Sequence, residues 1–379
     1  MNLKTQKKGE DTLLNLTPEQ LKQPFLLKPN RVRRTYRGGL LLDRFRRYSN
    51  PQDGWVPEDW LGSTTMSRLK TRPGEGLSMV SIGEREFVLG EVIKHYPQAM
   101  LGEKHTQALG AHPFLLTKLL DSSERLRIQV HPSREQAQAL FGSPHGKAEA
   151  WYILETRTID GVEPYILLGF RKGIRAQDFA EALLNQDSIA LIEMMHRVTV
   201  QAGDIFMVDA GVPHAIGSGV FMLEIQEPSD LTVYAEASGD APLDHSSNHL
   251  GLGWQQALEL FQYEGDSAAE NLAKRKLLPE RTGTSQSLVY ETMMGDSSEP
   301  YFGLSEILVR GQAIVKLDTF TIAIVIQGSG TMGVDGHSKA IHQGDALFCP
   351  AILGEFTLST DQAQGDLRVL CCRPASQYL

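Results

Sequence analysis

Arg127-Ile128-Gln129-Val130-His131, then Glu149-Ala150-Trp151-Tyr152-Ile153-Leu154, then Gly203-Asp204-Ile205-Phe206-Met207-Val208-Asp209-Ala210-Gly211-Val212-Pro213-His214 are the stretches whose reading decides the fold. Gln129 and His131 lie two residues apart, so a β-strand turns both side chains to one face and sends Ile128 and Val130 to the other. Glu149 opens an aromatic and β-branched run that reads as a second strand. The segment from Gly203 reads as a turn glycine, a short apolar strand and a tight Ala-Gly-Val-Pro turn that delivers His214 to the start of another strand. Any one strand histidine is ordinarily a hydrogen-bonded core or surface residue. Two imidazoles, a carboxylate and an amide oxygen in this order predict a metal site of Gln129, His131, Glu149 and His214. Zn2+ suits that donor set best, with iron, manganese or cobalt as other divalent occupants.

The 379 residues are too many for one ordinary core and predict two or three domains. A hydrophobic content of 41% and a charged content of 22% fit a soluble globular enzyme. The net charge of -9 argues against nonspecific nucleic-acid or acidic-membrane partners, while leaving room for a local basic pocket that takes an anionic small molecule. Cys349, Cys371 and Cys372 cannot build a disulfide framework or a cysteine-rich metal site, which points to a reducing compartment. No apolar run approaches the ~20 residues that span a bilayer, and Met1 to Asp11 lead into no signal-peptide core. A cytoplasmic location is expected; the oligomeric state is not readable.

Residues 1–30 are expected to be a loose extension with a short helix, in which Thr17 is the N-cap and Pro18 the first helical position. From Arg31 to about residue 165, short β-rich runs alternate with turn signals, favouring a sandwich or barrel. Arg134 to Phe141 is helix-like, and the apolar spacing of Phe179, Leu183, Leu184, Ile189, Leu191 and Ile192 predicts a helical insertion around residues 173–197. Leu252 to Gln262 also reads as helical. The polar, breaker-rich stretch from 263 to 300 marks a boundary. Beyond it, Thr319 to Gly330 is a strand running into a glycine turn, and Gly344-Asp345-Ala346-Leu347-Phe348-Cys349-Pro350 restates the opening of the Gly203 segment. Glu355 falls where the metal histidine would be.

The Gly203–His214 segment resembles the second cupin motif, with Asp209 where that motif carries proline. More widely, the chain resembles the type I phosphomannose isomerases, zinc-dependent mannose-6-phosphate isomerases of the cupin superfamily. The matching residues are Leu119-Leu120-Asp121, Ile128 to Pro132, Gly146 to Tyr152, Gly203 to Gly217, Leu223-Glu224 and Ser229-Asp230, with a weaker match at Glu58-Asp59-Trp60-Leu61-Gly62-Ser63. The resemblance implies a mainly β fold of two cupin (double-stranded β-helix, jelly-roll-like) barrels with helical insertions. The expected division is an extension at 1–30, a metal-binding cupin domain at 31–262 and a C-terminal cupin-like domain without metal at 263–379.

The resemblance also implies that Gln129, His131, Glu149 and His214 bind the metal. Lys147 and Glu224 match active-site residues of the family and Asp230 lies in its Ser-Asp pair, although spacing alone leaves Lys147 equally readable as a solvated lysine and Glu224 as a buried salt-bridge partner. Asp230 and Ser63 are the expected substrate-binding residues, and Thr64, Thr65, Arg68 and Lys70 are further polar candidates near a phosphate. One position departs from the pattern: Tyr234 stands where the family has an arginine thought to act in catalysis. A phenol donates one hydrogen bond but carries no fixed charge. The expected function is a metal-dependent aldose–ketose isomerase taking mannose 6-phosphate to fructose 6-phosphate. Because of Tyr234, the alternatives are a noncatalytic sugar-phosphate-binding or regulatory cupin, or an isomerase of a different sugar.

Overall fold

The structure, a computed structural model, describes residues 15–69, 71–238, 242–285, 287–294, 300–361 and 365–375. Four main antiparallel sheets form two β-barrels. The first barrel faces a seven-stranded sheet against a five-stranded one, and the second faces a seven-stranded sheet against a four-stranded one. Strand periodicity gives each sheet two separate tasks. In the strands Glu149–Thr156, Val220–Gln226 and Leu116–Ser122, the residues Trp151, Ile153, Met222 and Leu120 turn into the first barrel. There they pack with Phe206, Ile166, Leu168 and Ile216. The alternate residues Ala150, Tyr152, Leu223, Ile225 and Leu119 face outward and join a core with Phe302, Leu304, Ile322, Ile324, Phe348 and Leu370 of the second barrel. One apolar layer therefore cements the large sheets together.

The five-stranded sheet follows the same rule. Its outward residues Ile128, Val130, Leu167, Ala215 and Val233 are buried under the helices Ala176–Leu184 and Ser188–Glu193 and the turn near Leu260. Gln129, His131 and His214 are left on the inward face. The helix expected at Arg134–Phe141 forms, capped by Ser133 and Gln136 in a reciprocal capping box. The second barrel's interior is filled by Val309, Val325, Met332, Leu358, Leu367 and Val369.

Three features differ from the sequence reading. Within the run expected to be β-rich, Leu89–His95, Pro97–Leu101 and Glu103–Leu109 are consecutive helices. Leu89, Val92, Ile93, Met100 and Leu101 bury a helical stripe in the shared core, a period hidden by the breakers Pro97 and Gly102. The stretch after residue 263 is not all breakers, since it contains the capped helix Ala268–Arg275 and the strand Lys276–Leu277, which pairs with Ile205–Phe206 of the first barrel. The N-terminal segment, from residue 15 onward, is not loose. The expected cap at Thr17 is present, while Phe25 and Leu26 pair with Phe348 and Leu347 as an edge strand of the second barrel. Leu16, Leu21, Phe25 and Leu27 enter the shared core.

This docking makes a prediction. Phe25→Ala removes a side chain only 1% exposed and is expected to cost about 3–5 kcal/mol in urea unfolding. Leu26→Ala, at a side chain 41% exposed, should fall within about 0.5 kcal/mol of wild type. An unchanged midpoint for Phe25→Ala would mean that the segment does not hold the barrels.

Candidate metal centre

Three strands deliver the cage, and their register explains why it closes. His214 sits opposite Gln129 in the five-stranded sheet. Glu149 lies across the barrel, in register with Val208 and Gln226. Two glycines allow the chain to return to His131. A Cβ on Gly146 would lie 2.7 Å from the Arg134 nitrogen, and the absence of one lets the Lys147 amide donate to the Pro132 carbonyl at 3.1 Å. Gly211, at φ +83, donates its amide to the His131 carbonyl at 2.9 Å, which aims the turn that carries His214.

His131, Glu149 and His214 are buried, and a set of their donor atoms lies within 4.8 Å of one another. The Nε2 atoms of His131 and His214 are 3.4 and 3.3 Å from the two Glu149 oxygens. Each imidazole uses Nδ1 on a backbone carbonyl, His131 on Leu231 at 3.0 Å and His214 on Val212 at 2.9 Å. Those bonds place the proton on Nδ1 and leave the Nε2 lone pairs converging, the outer support that metal-ligating histidines need. Burial, followed by the Lys147 charge, pulls His131 down to about 3, so it is a neutral imidazole in ordinary buffers. The Gln129 amide reaches His214 Nε2 at 3.1 Å. A half-turn of that amide would present its oxygen to the same space. Trp151 Nε1 donates to Glu149 at 3.1 Å and orients the carboxylate.

The donor set thus fits a divalent transition metal, and a cation already tests the fit. The Lys147 ammonium, a stand-in for such an ion, lies 2.7 Å from His131 Nε2 and 2.6 Å from Glu149. Its other carboxylate neighbour is Glu224 at 3.9 Å. Burial favours raising the Glu149 carboxyl, but Lys147 and His131 hold it well below the usual carboxylate range.

Around the cage runs a network of paired charges. Lys118 sits directly opposite Glu224 across adjacent strands and donates to it at 3.0 Å, and it also donates to Gln226. Burial, reinforced by Glu149 and Glu58, raises the Glu224 carboxyl in spite of Lys118 and Lys147. Glu58 accepts from Tyr36 at 2.6 Å and from Trp60 Nε1 at 2.7 Å, and it pairs with Arg34 at 2.9 Å. Arg34 extends to Asp230 at 3.5 Å. Burial works against ionisation of Asp230, yet Arg34, Lys118 and Lys147 keep its pKa below the ordinary value.

Of the residues singled out from sequence, Lys147, Glu149, Glu224, Gln129, His131 and His214 come together, and Asp230 joins them through Arg34. Tyr234 is in register with Gln129, on the strand beside it. Ser63 is buried in a turn, where its hydroxyl accepts from the Thr65 amide at 3.1 Å and its amide donates to Ser78 at 2.9 Å. The same loop contributes the Arg68 amide to Asp230 at 3.2 Å, while Lys70 lies outside the described residues. Sequence reading missed Arg34, Glu58, Lys118 and Arg127. Lys118 had a signal: it is a lysine within the wholly buried strand Leu116–Ser122. Arg127 had another, its place two residues before Gln129 on the same strand face.

The chain is similar to known proteins in both sequence and fold. Residues 47–158 match the family described as phosphomannose isomerase type I, catalytic domain, and residues 296–364 match the mannose-6-phosphate isomerase cupin domain. The chain is similar to mannose-6-phosphate isomerase ManA of Bacillus subtilis, 28% identical over 294 residues that cover 75% of this chain and 82% of that one. It is also similar to mannose-6-phosphate isomerase of Streptococcus mutans, 28% identical over 68% of this chain and 72% of the relative. In fold it resembles the crystal structure of the Bacillus subtilis mannose 6-phosphate isomerase, with a TM-score of 0.70 at 22% identity over 92% and 99% of the two chains. A putative mannosephosphate isomerase from Archaeoglobus fulgidus gives 0.69 at 18% identity over 93% and 98%.

Equilibrium dialysis against zinc should load about one equivalent per chain. Glu149→Ala should weaken that binding by more than the ~10–100-fold typical of changes just outside a ligand set. Equal zinc content in the variant and wild type would exclude the cage.

Proposed function

Because the chain belongs to the type I phosphomannose isomerase family, we propose that it interconverts mannose 6-phosphate and fructose 6-phosphate, using zinc held by Gln129, His131, Glu149 and His214. The observation that carries this reading is the placement of Glu224 between two lysines, 3.9 Å from Lys147, which itself touches the cage. Bound there, a divalent cation supplies Lewis-acid polarisation of the sugar oxygens. Two imidazoles and a carboxylate with one amide oxygen suit zinc among the common divalent ions.

Aldose–ketose isomerisation moves a proton between C2 and C1 through an enediol, which needs a base that takes the proton and returns it. Glu224 fits that task. Its carboxyl is raised by burial towards neutrality, so loading and unloading a proton is easier than for an exposed glutamate. Lys147, an ammonium between two carboxylates, has protons to donate and balances negative charge developing on the sugar oxygens. Lys118 sits behind Glu224, orients it by the 3.0 Å hydrogen bond and keeps its charged form accessible.

A coupled assay of fructose 6-phosphate formation by the zinc-loaded protein tests the reading. Wild type is expected to turn over mannose 6-phosphate, and Glu224→Gln to lose about 10²–10⁴-fold in kcat. With Glu224 ionised as the base, activity is full above its raised pKa and falls as pH drops through it. The acid limb of kcat/KM should therefore lie above the ~4.3 of an ordinary glutamate, and should move in the residual activity of Glu224→Gln. No turnover by the loaded wild type would remove the proposal.

A further inference from the structure

Among the described residues, the barrel contains a cation that forms no ion pair with a carboxylate. Arg34 is bound to Glu58 and Asp230, Lys118 to Glu224, and Lys147 to Glu149. Arg127 is different. Its guanidinium lies over the ring of Tyr234 at 3.6 Å from the centroid, and Nη1 donates to the Asn248 side-chain oxygen at 3.0 Å and the Glu236 carbonyl at 3.3 Å. Among the described residues, no carboxylate forms an ion pair with it. Partial burial against neutral groups is costly for a cation unless an anion completes its coordination.

Its direction is settled by its neighbours. Ile128, Val130, Val233 and Ala235 point away, into the helical layer. Arg127, Gln129 and Tyr234 alternate with them, are only half-buried and occupy the face that carries the cage. Arg127 is two residues from Gln129, hence about 7 Å along the strand and further still from His131. A guanidinium so displaced is poorly placed for C1 and C2 oxygens held at the cage. It is well placed for a group at the opposite end of a six-carbon chain.

We propose that Arg127, laid on the ring of Tyr234, anchors the phosphate of the sugar substrate. The inference rests on the sugar-phosphate reading above and deepens it. Tyr234, at the position where the resemblance implies an arginine, becomes a platform: its ring fixes the guanidinium plane by cation–π stacking, and the edge of the guanidinium turned from Asn248 grips the phosphate oxygens. The positive charge is supplied from the adjacent strand instead of from position 234.

The test uses the full-length, zinc-loaded protein and three probes: mannose 6-phosphate, unphosphorylated mannose and inorganic phosphate. Arg127→Met should weaken mannose 6-phosphate binding by about 10–100-fold in calorimetry, with the kinetic loss carried by KM rather than kcat. Competition by inorganic phosphate should weaken in parallel, while mannose binding and zinc content stay as in wild type. Arg127→Lys should recover part of the affinity. Tyr234→Phe keeps the ring and should bind phosphate within about threefold of wild type, whereas Tyr234→Leu should not. A loss in kcat with unchanged phosphate affinity, an equal loss for mannose, or no change at all would each overturn the assignment. If wild type fails to isomerise mannose 6-phosphate, the functional reading fails, and the calorimetric comparison of wild type with Arg127→Met still decides whether Arg127 holds phosphate.

Discussion

The ion pair between Lys118 and Glu224, buried in the middle of a barrel wall, is the contact on which the rest of the site depends. Stripping water from either charge costs several kcal/mol, and removing one partner of a buried pair ordinarily costs about 3–5 kcal/mol. The protein meets that demand by building a continuous network. Glu224 neighbours Lys147, Lys147 meets Glu149, and Lys118 lies over the Trp60 ring, whose indole nitrogen donates to Glu58. Glu58 in turn holds Arg34. No member can move far without exposing another to an apolar wall, so the cage and its proposed base are positioned together. Arg34, Lys118 and Lys147 face Glu58, Glu149, Glu224 and Asp230. With a divalent ion bound, the proposed phosphate anchor Arg127 would leave an excess positive charge suited to a phosphate dianion.

This network requires register as well as residue type. Glu58, Lys118, Glu149 and Glu224 sit on inward strand positions, while outward residues of the same strands build the layer between barrels. A slip of one residue would exchange the two sets and place Glu224 and Lys118 in that apolar layer. Burial of Ala150, Leu223, Ile225 and Leu119 against the second barrel therefore locks the charged face in position. The second barrel supports the site through that layer, and the N-terminal strand at Phe25 ties its edge.

The cage residues were legible because their signals are local: Gln129 and His131 share a strand face, Glu149 opens a strand, and a glycine–proline turn leads into His214. The mainly β barrel fold was legible for the same reason, through alternating runs and turn signals. Pairings between distant strands were not. Lys118 and Glu224 meet only through antiparallel register, and Arg34 reaches Asp230 across 196 positions of sequence. The helices between Leu89 and Leu109 were obscured because Pro97 and Gly102 cut one apolar stripe into pieces too short to show a period. Tyr234 shows the hazard of comparing single positions: in sequence it reads as a lost charge, while in the structure a guanidinium lies on its ring.

The buried network and cage are proposed to perform the isomerisation together. The most direct test follows one sample of the protein with mannose 6-phosphate by proton and phosphorus NMR as zinc is removed and restored. The account predicts that fructose 6-phosphate accumulates, stops accumulating on chelation and resumes when zinc is returned. Mannose 6-phosphate that binds the zinc-loaded protein and remains unconverted would contradict it.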